Sequence, residues 1–162
     1  MGKRFRQKQR VDYDEIFASM MRVTIIKMLL ALTVKYDYEV EQMNVIIAFL
    51  EAHLQKKVWV QQSSRYEQKE SNESIIVCRL NKALYELKQA SREWYSTLKI
   101  YLIFINYQRV EIDHSVFTHQ KSIIIVIYVN DLLILESSIF DIQALKLQFA
   151  KRFQMKDLDS IE

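Results

Sequence analysis

IIIVIYVNDLLIL, residues 123–135, is the stretch that decides the fold. Its two apolar runs, 123–128 and 132–135, are rich in β-branched residues, which favour strands. Asn130 and Asp131 between them tolerate the backbone angles of a tight turn, so the stretch predicts a β-hairpin. Its acidic tip has two interpretations. It is either a plain polar turn or a place where a carboxylate is held out toward a metal ion and phosphate.

Helices and strands alternate on both sides of this hairpin. Apolar residues at three- and four-residue steps predict helices at about 18–36, 82–107 and 139–153. Strand-like segments are expected at 38–45, 58–60, 75–80 and 116–119. A turn into a short helix is expected at 46–50, and a polar loop or hairpin connection at 61–74. This order predicts an α+β fold, with a small antiparallel sheet backed by helices.

The composition indicates one globular domain. A chain of 162 residues is long enough to bury a core, and half of its residues are hydrophobic. The net charge of +3 is too small to imply a nucleic-acid partner by itself. The basic N-terminal segment, residues 1–10, is more typical of a solvated tail than of a binding site.

Cysteine, histidine and hydropathy patterns exclude several other classes of protein. Cys78 is the only cysteine, so no disulfide can form within the chain, and an intracellular, reducing compartment fits best. The three histidines follow no zinc-binding spacing. Polar or charged residues interrupt both long apolar stretches, which are shorter than a membrane-spanning helix, so we expect neither a membrane protein nor a secreted one.

Five motifs then occur in the order found in one known family. VDYDEIFASM (11–20) is similar to VDYDETFAPV, and EQMNVIIAFL (41–50) to HQMDVKTAFL. VCRLNKALYELKQASREWY (77–95) is similar to VCKLNKSLYGLKQAPRQWY, IYVNDLLIL (127–135) to LYVDDLLI, and the end of FAKRFQMKDLD (149–159) to FEMKDLG. The chain therefore resembles the reverse transcriptase domain of Ty1/copia-type retrotransposons over nearly all of residues 3–159, which is far more specific than one motif.

The resemblance implies a polymerase palm, a ferredoxin-like antiparallel sheet backed by helices, with part of the fingers. It also implies an RNA template, a DNA primer and a deoxynucleoside triphosphate as partners. In the family, three aspartates hold two Mg²⁺ ions that drive the in-line displacement. Relative to the family, residues 1–162 are expected to form one palm and fingers fragment that stops before the primer grip and thumb.

Carried over residue by residue, the family's three aspartates fall on Asn44, Asn130 and Asp131. Phe49 matches the aromatic residue beneath the sugar of the incoming nucleotide, with core packing as the alternative. Gln89 matches a glutamine of the nucleotide-binding segment, with a solvated helix position as the alternative. Asp131 is the only carboxylate left for a metal. An asparagine keeps the shape of an aspartate and loses its charge, so we expect weak or absent Mg²⁺ binding and no polymerisation.

Other departures from the family pattern indicate decay. The chain has one glycine and no proline, against about 11 and about 8 at average usage. Arg65, Glu86 and Asp159 stand for family glycines, and three serines stand for prolines, namely Ser19, Ser63 and Ser91. These changes, like Asp to Asn, can each arise by one G-to-A or C-to-T transition. The leading hypothesis is an inactive reverse-transcriptase relic.

Two other functions remain open from the sequence. One is a co-opted module that binds RNA or DNA without catalysis, and the other is an active polymerase that tolerates Asn44 and Asn130. We also expect self-association through apolar faces left uncovered, above all the helical stripe of Trp94, Leu98, Tyr101 and Ile105.

Overall fold

The computed structural model describes residues 7–18, 21–63, 68, 76–119 and 123–160, and the chain forms two compact units. One unit comprises residues 1–17 and 49–97, and the other comprises residues 18–48 and 98–162. The helices are α1 (Val23–Tyr36), α2 (Ala48–Glu51), α3 (Ala90–Phe104) and α4 (Ile139–Arg152). The strands are β1 (Glu39–Val45), β2 (His53–Gln61), β3 (Val77–Lys82), β4 (Gln108–Arg109), β5 (Val116–Thr118), β6 (Ile124–Tyr128), β7 (Asp131–Glu136) and β8 (Met155–Ser160).

A six-stranded antiparallel sheet organises the second unit, in the order β4-β5-β6-β7-β1-β8. The predicted hairpin is confirmed as β6 and β7. Strand β1 is far from both in sequence, yet it lies between β7 and β8. Strands β2 and β3 form a separate two-stranded antiparallel sheet in the first unit. The α+β class with an antiparallel sheet backed by helices is therefore confirmed.

The two faces of the large sheet carry different cores. Ile25 and Leu29 of α1 pack on the face formed by Val116, Val126 and Leu135. The opposite face carries the remaining buried strand positions, and α4 packs beside β1 and β7. Side chains alternate between faces along a strand, so each of the central strands contributes to both cores. This explains why β6 reads as an unbroken apolar run rather than as an alternating one.

Local signals determine where the helices end. At α4, the side chain of Ser138 accepts a hydrogen bond from the backbone nitrogen of Asp141, and Lys151 and Arg152 occupy the last turn, where cations are favourable. Helix α1 ends at Asp37, which adopts a left-handed conformation with φ of 52°. The helix begins at Val23 rather than at the expected residue 18.

The bounds expected for α3 were wrong. The helix occupies Ala90–Phe104, and residues 83–89 form turns instead of extending it toward residue 82. The stripe expected to be partly exposed is buried at Trp94 and Leu98, which are 1% and 0% exposed, and it is half-buried at Tyr101 and Ile105. Regular apolar spacing marks the side of a helix that packs, so the exposed apolar residues belong to its other side, namely Ile100, Ile103 and Phe104.

Two strands of the structure were not predicted, and parts of two predicted segments lie outside the described residues. Strands β4 and β8 were not predicted from the sequence. Most of the expected loop at 61–74, and residues 1–6 of the basic segment, lie outside the described residues. Among the helices that the structure describes, none has the length and apolar character needed to cross a membrane.

The ion pairs of a buried lysine connect helix α4 with strands β1 and β8 in the second unit. Lys146 of α4 is 4% exposed and forms ion pairs with Glu41 of β1 and with Asp157 of β8, the latter at 2.6 Å between Nζ and Oδ1. Burial acts to lower the pKa of Lys146, but the hydrogen bonds to Asp157 and Glu41, and their charges, outweigh it and raise that pKa. The ammonium group therefore stays charged inside the protein.

We expect the Lys146→Met substitution to destabilise the protein by about 3–5 kcal/mol, because Glu41 would remain buried without its partner. The double variant Lys146→Met, Glu41→Gln should recover part of that loss, and Asp157→Asn should cost less because Asp157 is exposed. Chemical denaturation measures all three. Equal losses for Lys146→Met and Asp157→Asn would contradict the assignment of Glu41 as the critical partner.

The same ion pairs predict the direction of the pH dependence. A lysine whose pKa is raised on folding stabilises the protein fully below its ordinary pKa of about 10.4. That contribution is lost as the pH rises through the higher, folded value. The free energy of unfolding of the wild type should therefore fall in strongly alkaline solution by more than that of the Lys146→Met variant.

Candidate functional site

Antiparallel pairing of β1 with β7 brings the two ends of the candidate site together. Asn44 lies directly opposite Asp131, although 87 residues separate them in sequence. Their side chains point to the same face of the sheet, since opposed residues of an antiparallel pair do so. The amide nitrogen of Asn44 donates a hydrogen bond of 2.7 Å to Oδ1 of Asp131. The structure thus joins two of the three positions that the sequence aligned with metal-binding aspartates.

Gln42 is a third member of this cluster that the sequence analysis missed. It lies two residues before Asn44 on the same face of β1, and its Nε2 donates to Oδ1 of Asp131 at 3.3 Å. The two-residue period of a strand was the available signal, because it places residues 42 and 44 side by side. Asp131 therefore receives hydrogen bonds from two amides on one neighbouring strand.

The direction of these hydrogen bonds follows from the chemistry of the groups. An ionised carboxylate only accepts hydrogen bonds, so each amide must turn its NH₂ toward Asp131. The carbonyl oxygens of Asn44 and Gln42 are then not the atoms that face the carboxylate. Hydrogen bonds from the two NH₂ groups partly stabilise the negative charge of the Asp131 carboxylate, and they add no further negative charge.

The backbone of Asn130 is hydrogen-bonded to the end of β1. Its carbonyl oxygen accepts a hydrogen bond of 2.8 Å from the backbone nitrogen of Val45. The hairpin turn consists of Val129 and Asn130, with Tyr128 paired to Asp131, and not of Asn130 and Asp131 as the sequence suggested. Asp131 is consequently the first residue of β7, where strand pairing holds its backbone.

Val129 adopts an unusual backbone conformation at the first position of that turn. Its φ is 57°, in the region that favours glycine, and a β-branched residue is an outlier there. The hairpin is therefore held in its geometry by the pairing of β6 with β7 and of β7 with β1, rather than by the preference of the turn residues.

Phe49 and Gln89, the predicted nucleotide-binding residues, belong to the other unit. Phe49 is 6% exposed, and its ring packs edge-on against Tyr85 with 4.4 Å between centroids. Gln89 is 2% exposed, which excludes the solvated helix position. Its Nε2 donates to the carbonyl oxygen of Asp12 at 3.1 Å, and its Oε1 accepts from Nε2 of Gln7 at 3.0 Å. The nucleotide-binding roles of both residues stay predictions.

Comparison with known proteins identifies the family. The whole chain, residues 1–162, matches the family described as reverse transcriptase (RNA-dependent DNA polymerase). The chain belongs to the reverse transcriptase family. Its curated relatives include the retrovirus-related Pol polyprotein from transposon TNT 1-94 of Nicotiana tabacum, which is 37% identical over 96% of this chain.

Two further relatives are plant retrotransposon polyproteins. The Pol polyproteins from transposons RE2 and RE1 of Arabidopsis thaliana are 30% and 32% identical, each over 99% of this chain. The chain spans 12% of the length of the tobacco protein and 11% of each Arabidopsis protein. No solved structure matches this reverse transcriptase chain. The predicted Ty1/copia-type resemblance is confirmed by these relatives.

The donor set of this reverse transcriptase chain does not fit the two-metal centre of its family. Mg²⁺ prefers hard, anionic oxygen ligands in near-octahedral geometry. Of the three positions matched to family aspartates, only Asp131 is anionic, and the amides at Asn44 and Asn130 are neutral. The side chain of Gln42, which also contacts Asp131, is neutral as well. Within the described part of the chain, no group of three or more His, Cys, Asp and Glu side chains could hold a metal ion.

The strained turn predicts that Val129→Gly stabilises the protein. Relief of the left-handed conformation should outweigh the greater backbone freedom of glycine in the unfolded chain, for a net gain of roughly 0.5–1 kcal/mol. Asn106→Gly is the matched control, because Asn106 has φ of 67° but asparagine tolerates that region. Thermal or chemical denaturation should show the larger gain for Val129→Gly, and the reverse order would contradict the strain at the hairpin.

Proposed function

We propose that this chain is a reverse transcriptase domain that does not catalyse templated DNA synthesis. The observation that carries the proposal is the amide-bound carboxylate. Asp131 is the one anionic group at the aligned positions, and the amides of Asn44 and Gln42 hydrogen-bond to its Oδ1. Both contacts lie on the face of β1 that carries Asn44, the residue matched to a family aspartate in the sequence.

Insufficient negative charge is the physical reason that these positions would not hold two metal ions. Two Mg²⁺ ions bring four positive charges. Three aspartates would offset three of these charges, whereas a single aspartate offsets only one. Mg²⁺ gives up its hydration shell reluctantly, so neutral amides compete poorly with water for it. Phosphoryl transfer relies almost entirely on positioning and on electrostatic stabilisation of the transition state. Loss of the ions therefore removes the main source of rate acceleration.

A second candidate function is binding of nucleic acid without catalysis. It is supported by β2 and β3, the strands of the two-stranded sheet, which contain Lys56, Lys57, Arg79 and Lys82 and no acidic residue. Binding of nucleic acid requires no metal ion, so this function is compatible with the proposed absence of catalysis. An excess of cations on a small sheet provides the sequence-independent attraction that nucleic acids need.

The catalytic prediction is tested by primer extension on an RNA template. We expect no templated incorporation with Mg²⁺ at any pH from about 6 to 9, because asparagine does not titrate and pH cannot restore the missing charge. The Asp131→Asn variant provides the background. Incorporation by the wild-type protein above that background in Mg²⁺ would refute the proposal.

A metal-binding measurement tests the same proposal without requiring polymerisation. In the Asn44→Asp, Asn130→Asp variant, new carboxylates beside Asp131 should lower the melting temperature in the absence of metal, because like charges repel. Mg²⁺ or Mn²⁺ should then raise that temperature, by the equivalent of about 2.7 kcal/mol at a metal concentration of 100 times Kd. The wild type should show no such rise.

The matched control for this measurement is the Asn81→Asp, Asn106→Asp variant. It adds the same charge at two exposed positions that belong to neither β1 nor β7. Its response to metal should resemble that of the wild type. If Mg²⁺ stabilises the wild type as much as the restored variant, three carboxylates are not needed and the proposal fails.

A further inference from the structure

The outward side of helix α4 exposes two large apolar side chains. Its inward side packs through Ile142, Leu145 and Phe149, which are buried. On the opposite side, Phe140 is 84% exposed and Leu147 is 65% exposed. A surface helix normally turns polar and charged residues toward solvent, so these two side chains indicate a face that another surface covers.

The exposed residues on this side follow the spacing of a seam between two packed helices. Four of them recur at steps of four, three and four residues, namely Phe140, Ala144, Leu147 and Lys151. Residues at these steps form one stripe along a helix, and the same spacing lets the side chains of two helices interlock. We call these four residues the α4 seam.

The α4 seam is complementary to a second copy of itself in the antiparallel orientation. A twofold axis through the middle of the seam places Ala144 of one copy opposite Leu147 of the other, so a small side chain faces a large one. The same axis places Phe140 opposite Lys151 of the second copy. A twofold interface repeats each contact, so both central positions and both ends are matched.

The charges at the two ends of α4 fit the same orientation. Asp141, beside Phe140, lies in the first turn of the helix, and Lys151 lies in the last. Among the residues that the structure describes, neither side chain forms an ion pair within the chain. Antiparallel pairing brings Asp141 of one copy next to Lys151 of the other, whereas parallel pairing would bring like charges together.

Helix α3 adds apolar surface next to the seam. The hydroxyl of Tyr101 in α3 donates a hydrogen bond of 3.1 Å to the carbonyl oxygen of Gln148 in α4. Ile100 and Phe104, one residue before and three residues after Tyr101, are 68% and 80% exposed. A stable interface buries roughly 1,200–2,000 Å² in total, so these residues favour a tighter dimer than one helix seam would give.

We propose that the α4 seam is a homodimer interface, in which two copies of the chain pair antiparallel through α4. A second copy covers Phe140 and Leu147 and supplies a counter-charge at each end of the helix. An uncharged apolar partner would instead leave Asp141 and Lys151 desolvated without counter-charges, which is unfavourable. The inference does not rest on the proposed function, because no seam residue belongs to the cluster around Asp131. It assigns self-association to α4 rather than to the α3 stripe.

Sedimentation equilibrium of the full chain provides the first test. The measured mass should rise from one chain to two with concentration, with a dissociation constant on the order of micromolar. Leu147→Gln should weaken the dimer at least about 10-fold, because a twofold interface loses two leucines. The matched control is Leu30→Gln, which changes a leucine of α1 that is 56% exposed and should leave the dissociation constant unchanged.

Exchange of the end charges provides the second test. Lys151→Glu makes both ends of α4 negative, and Asp141→Lys makes both ends positive. Each variant alone should dimerise about 10-fold more weakly than the wild type, because like charges then face each other. An equal mixture of the two variants should form a heterodimer close to the wild type in affinity, because opposite charges meet again at both ends.

Each outcome supports the proposal or overturns it. A chain that stays monomeric up to about millimolar concentration, far above the expected dissociation constant, would overturn it. A dimer that Leu147→Gln does not weaken, or that Leu30→Gln weakens as much, would also overturn it. A mixture of the charge variants that associates no better than either alone would exclude the antiparallel arrangement. Unchanged circular dichroism of each variant should exclude misfolding as the cause of a lost dimer.

Discussion

The register of β1 against β7 is the constraint on which the candidate site depends. Asn44 opposes Asp131 only in the observed alignment, and a slip of one residue would turn every side chain of β1 to the other face. Such a slip would move Met43 and Val45 out of the core and place Glu41 away from Lys146. Hydrophobic burial on one face therefore specifies the polar contact on the other, so this geometry does not depend on a charge at position 44.

Buried and half-buried carboxylates are stabilised in different ways on the two faces of β1. On one face Glu41 is buried, and Lys146 neutralises it with a full positive charge. On the other face Asp131 is half-buried, and the amides of Asn44 and Gln42 hydrogen-bond to it instead of a cation. A carboxylate satisfied in this way is stable in the fold. Asparagine at position 44 is thus a residue that the sheet accommodates at little structural cost.

Most local structure followed from sequence patterns, and its limits have identifiable causes. The hairpin, the α+β class and α4 were predicted, because apolar periods are local signals. Strand β8 was missed because MKDLDS is polar and becomes a strand only by pairing with β1. The spacing pattern identified the packing face of α3, but it could not tell the buried Trp94 and Leu98 from the half-buried Tyr101 and Ile105.

The sequence by itself determined the family and the chemical identity of the candidate centre. The ordered motifs and the asparagines at positions 44 and 130 can be read directly from the sequence. That an asparagine side chain carries no charge is a property of the residue itself. Tertiary structure alone decided that Gln42 donates to Asp131 and that Val129 takes the strained turn position. These relations depend on strand register, which arises from contacts between residues far apart in the sequence and which no local pattern encodes.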